Sequence, residues 1–241
     1  MKQNTYVLIH GSYHGAWCWD SVKKELEKNN HKVYALDLPG HGKNHTPRKN
    51  ISMKLYVSYV KDFILNNNLQ NIILVGHSMG GIVVSQVAEL IPKKINKLIL
   101  LGGVILDNGE CFLDVIPEWR REYYLDCLKY SEDSSIPINP EFVKTCFLNK
   151  CDNPTIINVI SKLTPQPFIH NEKIFLKDFK NTNLKIIYIR CTEDKSMDKD
   201  YFTNVLNKLP SSHKLIEINS DHEPMFSNPE ELNKILLEQS S

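Results

Sequence analysis

The fold of this chain is decided by the stretch IILVGHSMGGIVVSQVAEL, residues 72–90. Its opening residues, Ile72–Val75, have the composition of a buried strand, and Ile82–Leu90 continue with the apolar spacing of a helix. Between them, Gly76–Gly81 contain a G-x-S-x-G motif, in which a sharp turn lifts the serine hydroxyl above the sheet. Glycines flank the serine because side chains two residues before or after it would collide. We therefore predict Ser78 as a nucleophile in strained backbone geometry at a helix N-terminus, where developing negative charge is favoured.

Short apolar segments alternate with longer helical ones, which predicts βα units and a mostly parallel sheet of about six strands flanked by helices. The predicted strands are Tyr6–His10, Val33–Asp37, Ile72–Gly76, Lys97–Leu101, Lys185–Arg190 and Lys214–Ile218. The predicted helices are Trp17–Lys28, Ser52–Asn67, Gly80–Ile91, Lys199–Leu209 and Pro229–Glu238. Asn228 is expected to cap the last helix, ahead of Pro229 at its first position.

The alternation breaks between residues 107 and 184, a stretch rich in proline and aromatic residues. We predict a mostly helical cap here, inserted after the fourth strand into a core formed by residues 1–106 and 185–241. At 241 residues the chain is long enough for one such domain with an insertion. Trp119 and Tyr123 of the cap are candidate pocket residues for an apolar acyl or aryl group.

A serine hydroxyl becomes nucleophilic only when a nearby base removes its proton. His222 follows the last predicted strand and lies at the same carboxyl edge of the sheet as Ser78, so it is the predicted base. The chain order Ser, Asp, His favours Asp194, after the fifth strand, as the acid that orients this histidine. Glu193 beside it and Asp107 after the fourth strand are the alternatives.

Cleavage of an acyl bond also needs donors for the oxyanion, normally backbone N–H groups. One should come from Met79, directly after the nucleophile. The other should come from Ser12 in the first strand-to-helix loop, where Gly11 lets the chain turn. His10 and His14 in this loop either line the substrate pocket or organise the loop by hydrogen bonds, and the sequence leaves both roles open.

Composition excludes several classes of protein. The 29 lysines and arginines nearly balance 28 acidic residues, a formal net charge of +1 that does not favour a nucleic-acid partner. The longest apolar stretch, Leu98–Leu106, is too short for a membrane span, and without a signal-peptide pattern a cytoplasmic location is expected. The six cysteines are expected to be reduced. Cys146 and Cys151 with His170 do not have the spacing of a zinc site, so no metal is expected.

The motifs HGSYHGAW, LDLPGHG, GHSMGG, LTPQP, CTEDK and SDHEPM together resemble the α/β-hydrolase fold. They are most similar to its methyl-esterase and hydroxynitrile-lyase branch, which includes plant salicylate methylesterase-like enzymes and bacterial relatives. The resemblance implies Ser78 as nucleophile, Asp194 as acid, His222 as base, and Ser12 and Met79 as oxyanion amides. It also implies an enzyme that needs no cofactor and whose cap supplies an apolar pocket.

Two positions depart from the lyases of this branch. Those lyases carry a lysine directly after the catalytic histidine, where this chain has Glu223. They also carry a threonine directly after the histidine of the first loop, where this chain has Gly11. Because this chain lacks the lysine that would stabilise cyanide, the sequence does not favour a lyase. The loop LPGHGKN also differs from the plant enzymes and is more similar to general bacterial hydrolases.

We therefore expect a serine carboxylesterase acting on a small-molecule ester, such as a methyl or aryl ester. The alternatives are a thioesterase or pathway-tailoring hydrolase acting on a carrier-bound acyl group, and a hydrolase-derived receptor for a small ligand. The cap is compatible with a homodimer contact.

Overall fold

Six parallel strands form the central sheet of the computed structural model, which describes residues 3–196 and 199–240. The described residues contain these six strands and two short ones outside the sheet, eight in chain order: β1 (Thr5–Ile9), β2 (Lys32–Leu36), β3 (Ile72–His77), β4 (Ile95–Leu101), β5 (Ser135–Ile136), β6 (Gln166–Pro167), β7 (Lys185–Cys191) and β8 (Lys214–Ile218). The order in the sheet is β2-β1-β3-β4-β7-β8, and β5 and β6 pair separately as an antiparallel ribbon. The predicted parallel α/β sheet is thereby confirmed.

The strands β1 and β2 end one residue earlier than predicted because their following residues hydrogen-bond in loops. His10 accepts a hydrogen bond from the Leu38 amide at its Nε2. Asp37 accepts bonds from the backbone N–H groups of Ala16 and Lys43. Both side chains therefore organise loops at the carboxyl edge of the sheet and do not extend the strands.

Helices cover both faces of the sheet. They are α1 (Asp20–Lys28), α2 (Met53–Asn66), α3 (Gly80–Leu90), α4 (Glu118–Lys129), α5 (Pro140–Phe142), α6 (Asn153–Ile160), α7 (Lys199–Lys208), α8 (Pro224–Ser227) and α9 (Pro229–Glu238). The helix predicted from Trp17 is a 3-10 turn over Ala16–Trp19 followed by α1. The predicted cap of α9 is confirmed, because the Asn228 side chain accepts a bond from the Glu231 amide and donates one to its carboxylate.

The two faces of β3 show how the core is divided. Ile72 and Leu74 pack in a cluster shared with α2, α3 and the cap segment, whereas Ile73 and Val75 pack in a second cluster with α1 and α9. All four side chains are fully buried. A strand buried on both faces has no polar side to alternate with, which explains the continuous apolar run in the sequence.

Residues 107–184, called the cap segment below, contain α4, α5, α6 and the β5–β6 ribbon. Their buried side chains, such as Phe147 and Val159, belong to the same apolar cluster as Leu74 of the sheet. The division into a cap and a core of residues 1–106 and 185–241 stays a prediction. Residues 1–2, 197–198 and 241 of that core lie outside the described residues. Within the described part, we find no helix with the length and hydropathy needed to cross a bilayer.

Candidate active site

Ser78 occupies a tight turn between β3 and α3, with a left-handed φ of +51°. A Cβ at Gly76 would lie 2.5 Å from the Val84 side chain and 2.7 Å from the carbonyl oxygen of Gly80. A Cβ at Gly80 would lie 2.7 Å from the carbonyl oxygen of His10. Backbone atoms cannot move aside cheaply, so the turn is available only with glycine at both positions. The strained serine predicted from the sequence is therefore present.

A hydrogen-bonded chain joins Ser78, His222 and Asp194. The Nε2 atom of His222 lies 2.9 Å from Ser78 Oγ, and its Nδ1 lies 2.6 Å from Asp194 Oδ2. Ser78 is 8% exposed and His222 only 1%, so water competes little for these bonds. A neutral imidazole that donates from Nδ1 to the carboxylate leaves Nε2 free to accept the serine proton. The three residues chosen from the sequence are thus brought together in bonding contact.

Ser196 holds the carboxylate and was not identified from the sequence. Its backbone N–H and its hydroxyl both donate to Asp194 Oδ1, each at 2.7 Å. Burial alone would raise the pKa of Asp194, but the charge of His222 and the hydrogen bonds from His222 and Ser196 outweigh burial and lower it. The carboxylate is therefore ionised when it faces the imidazole. An Asp side chain often accepts a hydrogen bond from the backbone N–H two residues on, and that signal was available in the sequence.

The two alternative acids do not reach the histidine among the described residues. Glu193 has an exposed side chain, and only its backbone forms hydrogen bonds: its N–H donates to the Ser220 carbonyl, and its carbonyl accepts from the Asn149 side chain. Asp107 is exposed beside Lys208, 4.0 Å from its Nζ. The structure therefore places Asp194 alone of the three beside His222.

His77 supports the backbone of His222. Its Nε2 donates to the carbonyl oxygen of His222 at 2.9 Å, and the centroids of the two rings are 4.9 Å apart. His77 thus positions the loop that carries His222, a role that sequence reasoning did not assign to it.

Among the backbone N–H groups near Ser78, those of Ser12 and Met79 show no protein acceptor within residues 3–196 and 199–240. The Ser12 loop passes directly over the nucleophile, since a Cβ at Gly11 would lie only 2.8 Å from Ser78 Cβ. Unpaired amides beside a nucleophile can bind an oxyanion, and the oxyanion role of Ser12 and Met79 stays a prediction.

Gln166 of the cap segment ties both amide loops together. Its Oε1 accepts a hydrogen bond from the Tyr13 amide at 3.0 Å, and its Nε2 lies 3.6 Å from the sulfur of Met79. Gln166 is fully buried. Gln166 belongs to the motif LTPQP, for which the sequence indicated only a family resemblance. In the structure it holds the loop of Ser12 and Tyr13 next to the turn of Met79.

The open question about His10 and His14 is answered by their hydrogen bonds. The Nδ1 of His10 donates to the Gly11 carbonyl at 2.8 Å, and the Nδ1 of His14 donates to the Ser12 carbonyl at 2.8 Å. Burial lowers the pKa of His10 to about 4 and that of His14 to about 3, so both are neutral. His14 is buried against Trp17, and the structure favours a loop-organising role over the predicted pocket role.

Comparison with known proteins is consistent with this geometry. A family model described as alpha/beta hydrolase fold matches residues 5–146. Methylesterase 7 of Arabidopsis thaliana is 31% identical over 98% of this chain and 96% of its own length. The chain belongs to the α/β-hydrolase family, in its methylesterase-like branch.

This α/β hydrolase is also similar to a second plant methylesterase and to a bacterial protein of known structure. Putative methylesterase 11, chloroplastic, of Arabidopsis thaliana is 29% identical over 99% of the chain, which spans 64% of that protein. Among solved structures, an extracellular alpha/beta-hydrolase from a Paenibacillus species superposes with a TM-score of 0.90. It is 25% identical over 98% of both chains and is described as sharing structural and functional homology with tobacco Salicylic Acid Binding Protein 2.

Glu223 of this α/β hydrolase is 1% exposed, and its carboxylate oxygens lie 3.6 Å from Nε2 of His14 and 3.8 Å from Nδ1 of His77. Burial, followed by the charges of Asp221 and Asp194, raises its pKa well above the ordinary value. Glu223 forms with His77 and His222 the group of described residues that comes closest to a metal site. Both ring nitrogens of His222 are engaged, however, so only two free ligand atoms remain, fewer than a zinc site uses.

Trp119 and Tyr123, both predicted as pocket residues, line one cavity of about 100 Å³ in the cap segment. The other lining residues, not identified from the sequence, are Arg120, Tyr124, Asn139 and Phe142. The Phe147 ring separates this cavity from the catalytic region, with its centroid 5.2 Å from that of Phe142 and 4.9 Å from that of His222. His14 lies outside this cavity.

The buried histidines predict acid sensitivity. Burial lowers the pKa of His10 to about 4 and of His14 and His170 to about 3, against an ordinary value of 6.5. Below pH 6.5 these histidines bind protons in the unfolded chain but stay neutral in the folded chain, so the free energy of unfolding falls as the pH falls. Each histidine contributes about 1.4 kcal/mol per pH unit, while Glu223, with a raised pKa, opposes the loss. We expect the free energy of unfolding, measured with urea, to decrease steeply between about pH 6 and 4.

Single variants separate this effect from general acid unfolding. His170→Gln removes a buried titrating group and should make the dependence on pH shallower. His45→Gln changes an exposed histidine in a polar loop and should leave the slope unchanged. A free energy of unfolding that stays constant over this pH range would contradict the prediction.

Proposed function

We propose that this protein is a serine carboxylesterase that hydrolyses small esters through an acyl-enzyme intermediate on Ser78. It is an ester-hydrolysing enzyme of the α/β-hydrolase family. The observation that carries the proposal is the hydrogen-bonded chain from Ser78 through His222 to Asp194. Relatives named methylesterases support a small ester, such as a methyl ester, as the substrate class.

Acylation begins with transfer of the Ser78 hydroxyl proton to Nε2 of His222, while Oγ bonds to the ester carbonyl carbon. The carbonyl oxygen becomes an oxyanion, which accepts hydrogen bonds from the amides of Ser12 and Met79. Asp194 stabilises the imidazolium that has formed. The carbon–oxygen bond to the alcohol then breaks, and His222 returns the proton to the leaving alcohol.

Deacylation repeats these steps with water. His222 removes a proton from a water molecule as its oxygen attacks the acyl carbon, and the same two amides hold the second oxyanion. The bond to Ser78 then breaks, the serine regains its proton from His222, and the carboxylic acid leaves. Every proton in this cycle is held by Ser78, His222, the ester or the attacking water, so the chemistry needs no cofactor.

A hydroxynitrile lyase is disfavoured because buried Glu223 occupies the position that is a lysine in those enzymes. A carrier-bound thioester and a receptor role have no specific support from the contacts of the described residues. The cytoplasmic location and a homodimer formed through the cap stay predictions.

The function is tested by steady-state hydrolysis of methyl and p-nitrophenyl esters whose acyl groups range from short to long and aryl. We expect sustained turnover, with a preference for small apolar acyl or aryl groups, because the aromatic ring of Phe147 lies beside His222. A single burst of product, or turnover only of carrier-bound thioesters, would contradict the proposal. Buffer without enzyme provides the background rate for each ester.

A further inference from the structure

Glu223 is a buried carboxyl group, next in sequence to His222, that the proposed ester reaction does not use. Its carboxyl oxygens lie 3.6 Å from Nε2 of His14 and 3.8 Å from Nδ1 of His77, and all three side chains are at most 1% exposed. Oε2 of Glu223 and the two ring nitrogens have no hydrogen-bond partner in the part of the chain that the structure describes. Buried polar atoms are nearly always paired, so these three atoms are expected to share a hydrogen.

The backbone determines which ring nitrogens of the two histidines carry hydrogen. Nδ1 of His14 lies 2.8 Å from the carbonyl oxygen of Ser12, and Nε2 of His77 lies 2.9 Å from that of His222. A carbonyl oxygen can only accept, so each of these nitrogens bears the hydrogen of its ring. The other nitrogen of a neutral imidazole is then an acceptor. Both rings therefore direct an acceptor towards Glu223.

An ionised Glu223 would add a third acceptor to these two. No hydrogen would then lie between the carboxylate and either ring, and the buried charge would have no donor at Oε2. One proton, on Glu223 or on an imidazole, removes this conflict. A protonated carboxyl group can donate, and a shift of about 0.6 Å towards His14 would bring their contact to hydrogen-bond length.

The surroundings favour Glu223 as the holder of this proton. Burial, followed by the charges of Asp221 and Asp194, raises the pKa of Glu223 well above its ordinary value. Burial lowers the pKa of His14 to about 3 and that of His77 well below its ordinary value, so neither ring competes for the proton. Among the described residues, Glu223 also acts electrostatically on three thiols, whose pKa values burial raises: Cys18, Cys151 and Cys191.

Building on the proposed esterase, we propose that Glu223 is a neutral carboxylic acid that positions two active-site loops by donating its proton to His14 and His77 in turn. His14 holds the carbonyl of Ser12, whose N–H is a predicted oxyanion donor, and His77 holds the carbonyl of His222. The acid thereby couples the oxyanion loop to the loop that carries the base. Glu223 acts through the two histidines and is a positioning residue for the proposed function.

A neutral acid also avoids a negative charge beside the base. Atoms of the His77 and His222 rings and a carboxyl oxygen of Glu223 all lie within 4.8 Å of one another. An ionised Glu223 at this distance would favour the imidazolium form of His222, which cannot accept the serine proton. The neutral form has no such effect on the base.

Substitution by a neutral donor and by an apolar side chain of similar length tests the positioning role. Glu223→Gln keeps a donor, so its kcat should stay within about threefold of the wild type. Glu223→Met leaves both ring nitrogens unpaired, so kcat should fall about 10- to 100-fold while KM changes less. Equal losses in the two variants, or full activity in Glu223→Met, would overturn the proposal.

Glu172→Met is the matched control for Glu223→Met. Glu172 is a half-buried carboxyl group of the cap segment that accepts a hydrogen bond from the Met53 amide at 2.8 Å. It contacts none of the catalytic residues within residues 3–196 and 199–240, so its substitution should leave kcat close to that of the wild type. An equal loss in this variant would mean that removal of any buried carboxyl group lowers kcat, and would overturn the specific role of Glu223.

The dependence of kcat/KM on pH distinguishes a neutral acid from a carboxylate. Glu223→Gln replaces one neutral group by another, so the midpoint of the acid limb should match that of the wild type. If Glu223 were ionised, its replacement would remove a charge that favours the imidazolium of His222, and the midpoint would move to lower pH. Such a shift would assign Glu223 as a carboxylate and would overturn the proposal.

Infrared spectroscopy detects the proton without any turnover. The difference spectrum between wild type and Glu223→Gln at neutral pH should contain the carbonyl stretch of a protonated carboxylic acid. If this band is absent while wild type hydrolyses the esters, the inference fails and the esterase stands. If the band is present but no ester is hydrolysed, the esterase proposal fails and the neutral state of Glu223 stands.

Discussion

Ser78→Ala enzyme is expected to hydrolyse esters with kcat lowered about 10⁶-fold, the loss seen when another serine hydrolase lacks its nucleophile. Without Oγ no acyl-enzyme forms, and the remaining rate comes only from substrate binding and the amides of Ser12 and Met79. Alanine matches serine in backbone preference, so the turn at φ +51° should persist. The measurement is kcat on the best p-nitrophenyl ester, with circular dichroism to check folding.

Ser85→Ala is the matched control for this loss. Ser85 is a fully buried serine on α3, and its hydroxyl donates only to the Ile82 carbonyl at 3.1 Å. Its removal should leave kcat close to that of the wild type. Retention of more than about a thousandth of the wild-type rate in Ser78→Ala would mean that Ser78 is not the nucleophile.

Asp194→Asn enzyme is expected to show kcat lowered about 10⁴-fold, with the geometry of the site preserved. The carboxylate now accepts the Nδ1 hydrogen of His222 at 2.6 Å. An amide group in its place can donate to Nδ1, which leaves the proton on Nε2 facing Ser78. The imidazole then has no lone pair with which to accept the serine proton.

The acid assignment is checked by changing its two rivals in the same assay. Glu193→Gln and Asp107→Asn alter exposed side chains that do not contact His222, so each should keep nearly full activity. A large loss in either variant, together with a small loss in Asp194→Asn, would identify a different acid. Ser196→Ala should lie between these extremes, because it removes one of two donors to Asp194 Oδ1 and leaves the carboxylate in place.

Much of the fold was predictable because its signals are local. The continuous apolar run of β3 reflects burial on both faces, and the glycines around Ser78 reflect atoms only a few residues away. The ends of β1 and β2 were predicted one residue too late, because the side chains of His10 and Asp37 bond to loops. No propensity of the strand residues themselves encodes those loop contacts.

Only some residues of the candidate site could be identified from local sequence patterns. Ser78 could be selected by its motif, and His222 by its position after a strand. Asp194 could be distinguished from Glu193 and Asp107 only by the distance between its Oδ2 and Nδ1 of His222. The contact between Arg120 and the Ser196 carbonyl has no sequence motif, because it joins residues 76 positions apart.

By itself, the sequence determined the parallel α/β sheet, the strained serine turn and the family, because each depends on residue order and short-range spacing. Only the tertiary structure decided which carboxylate meets His222, and that His14 organises a loop, outside the cap cavity. It also showed that Arg120 of the cap segment donates to the Ser196 carbonyl, beside the Asp194 loop. These facts depend on contacts between residues far apart in the chain, such as Arg120 with Ser196 and Tyr13 with Gln166. Such contacts form only when elements pack, so no local pattern of residues records them.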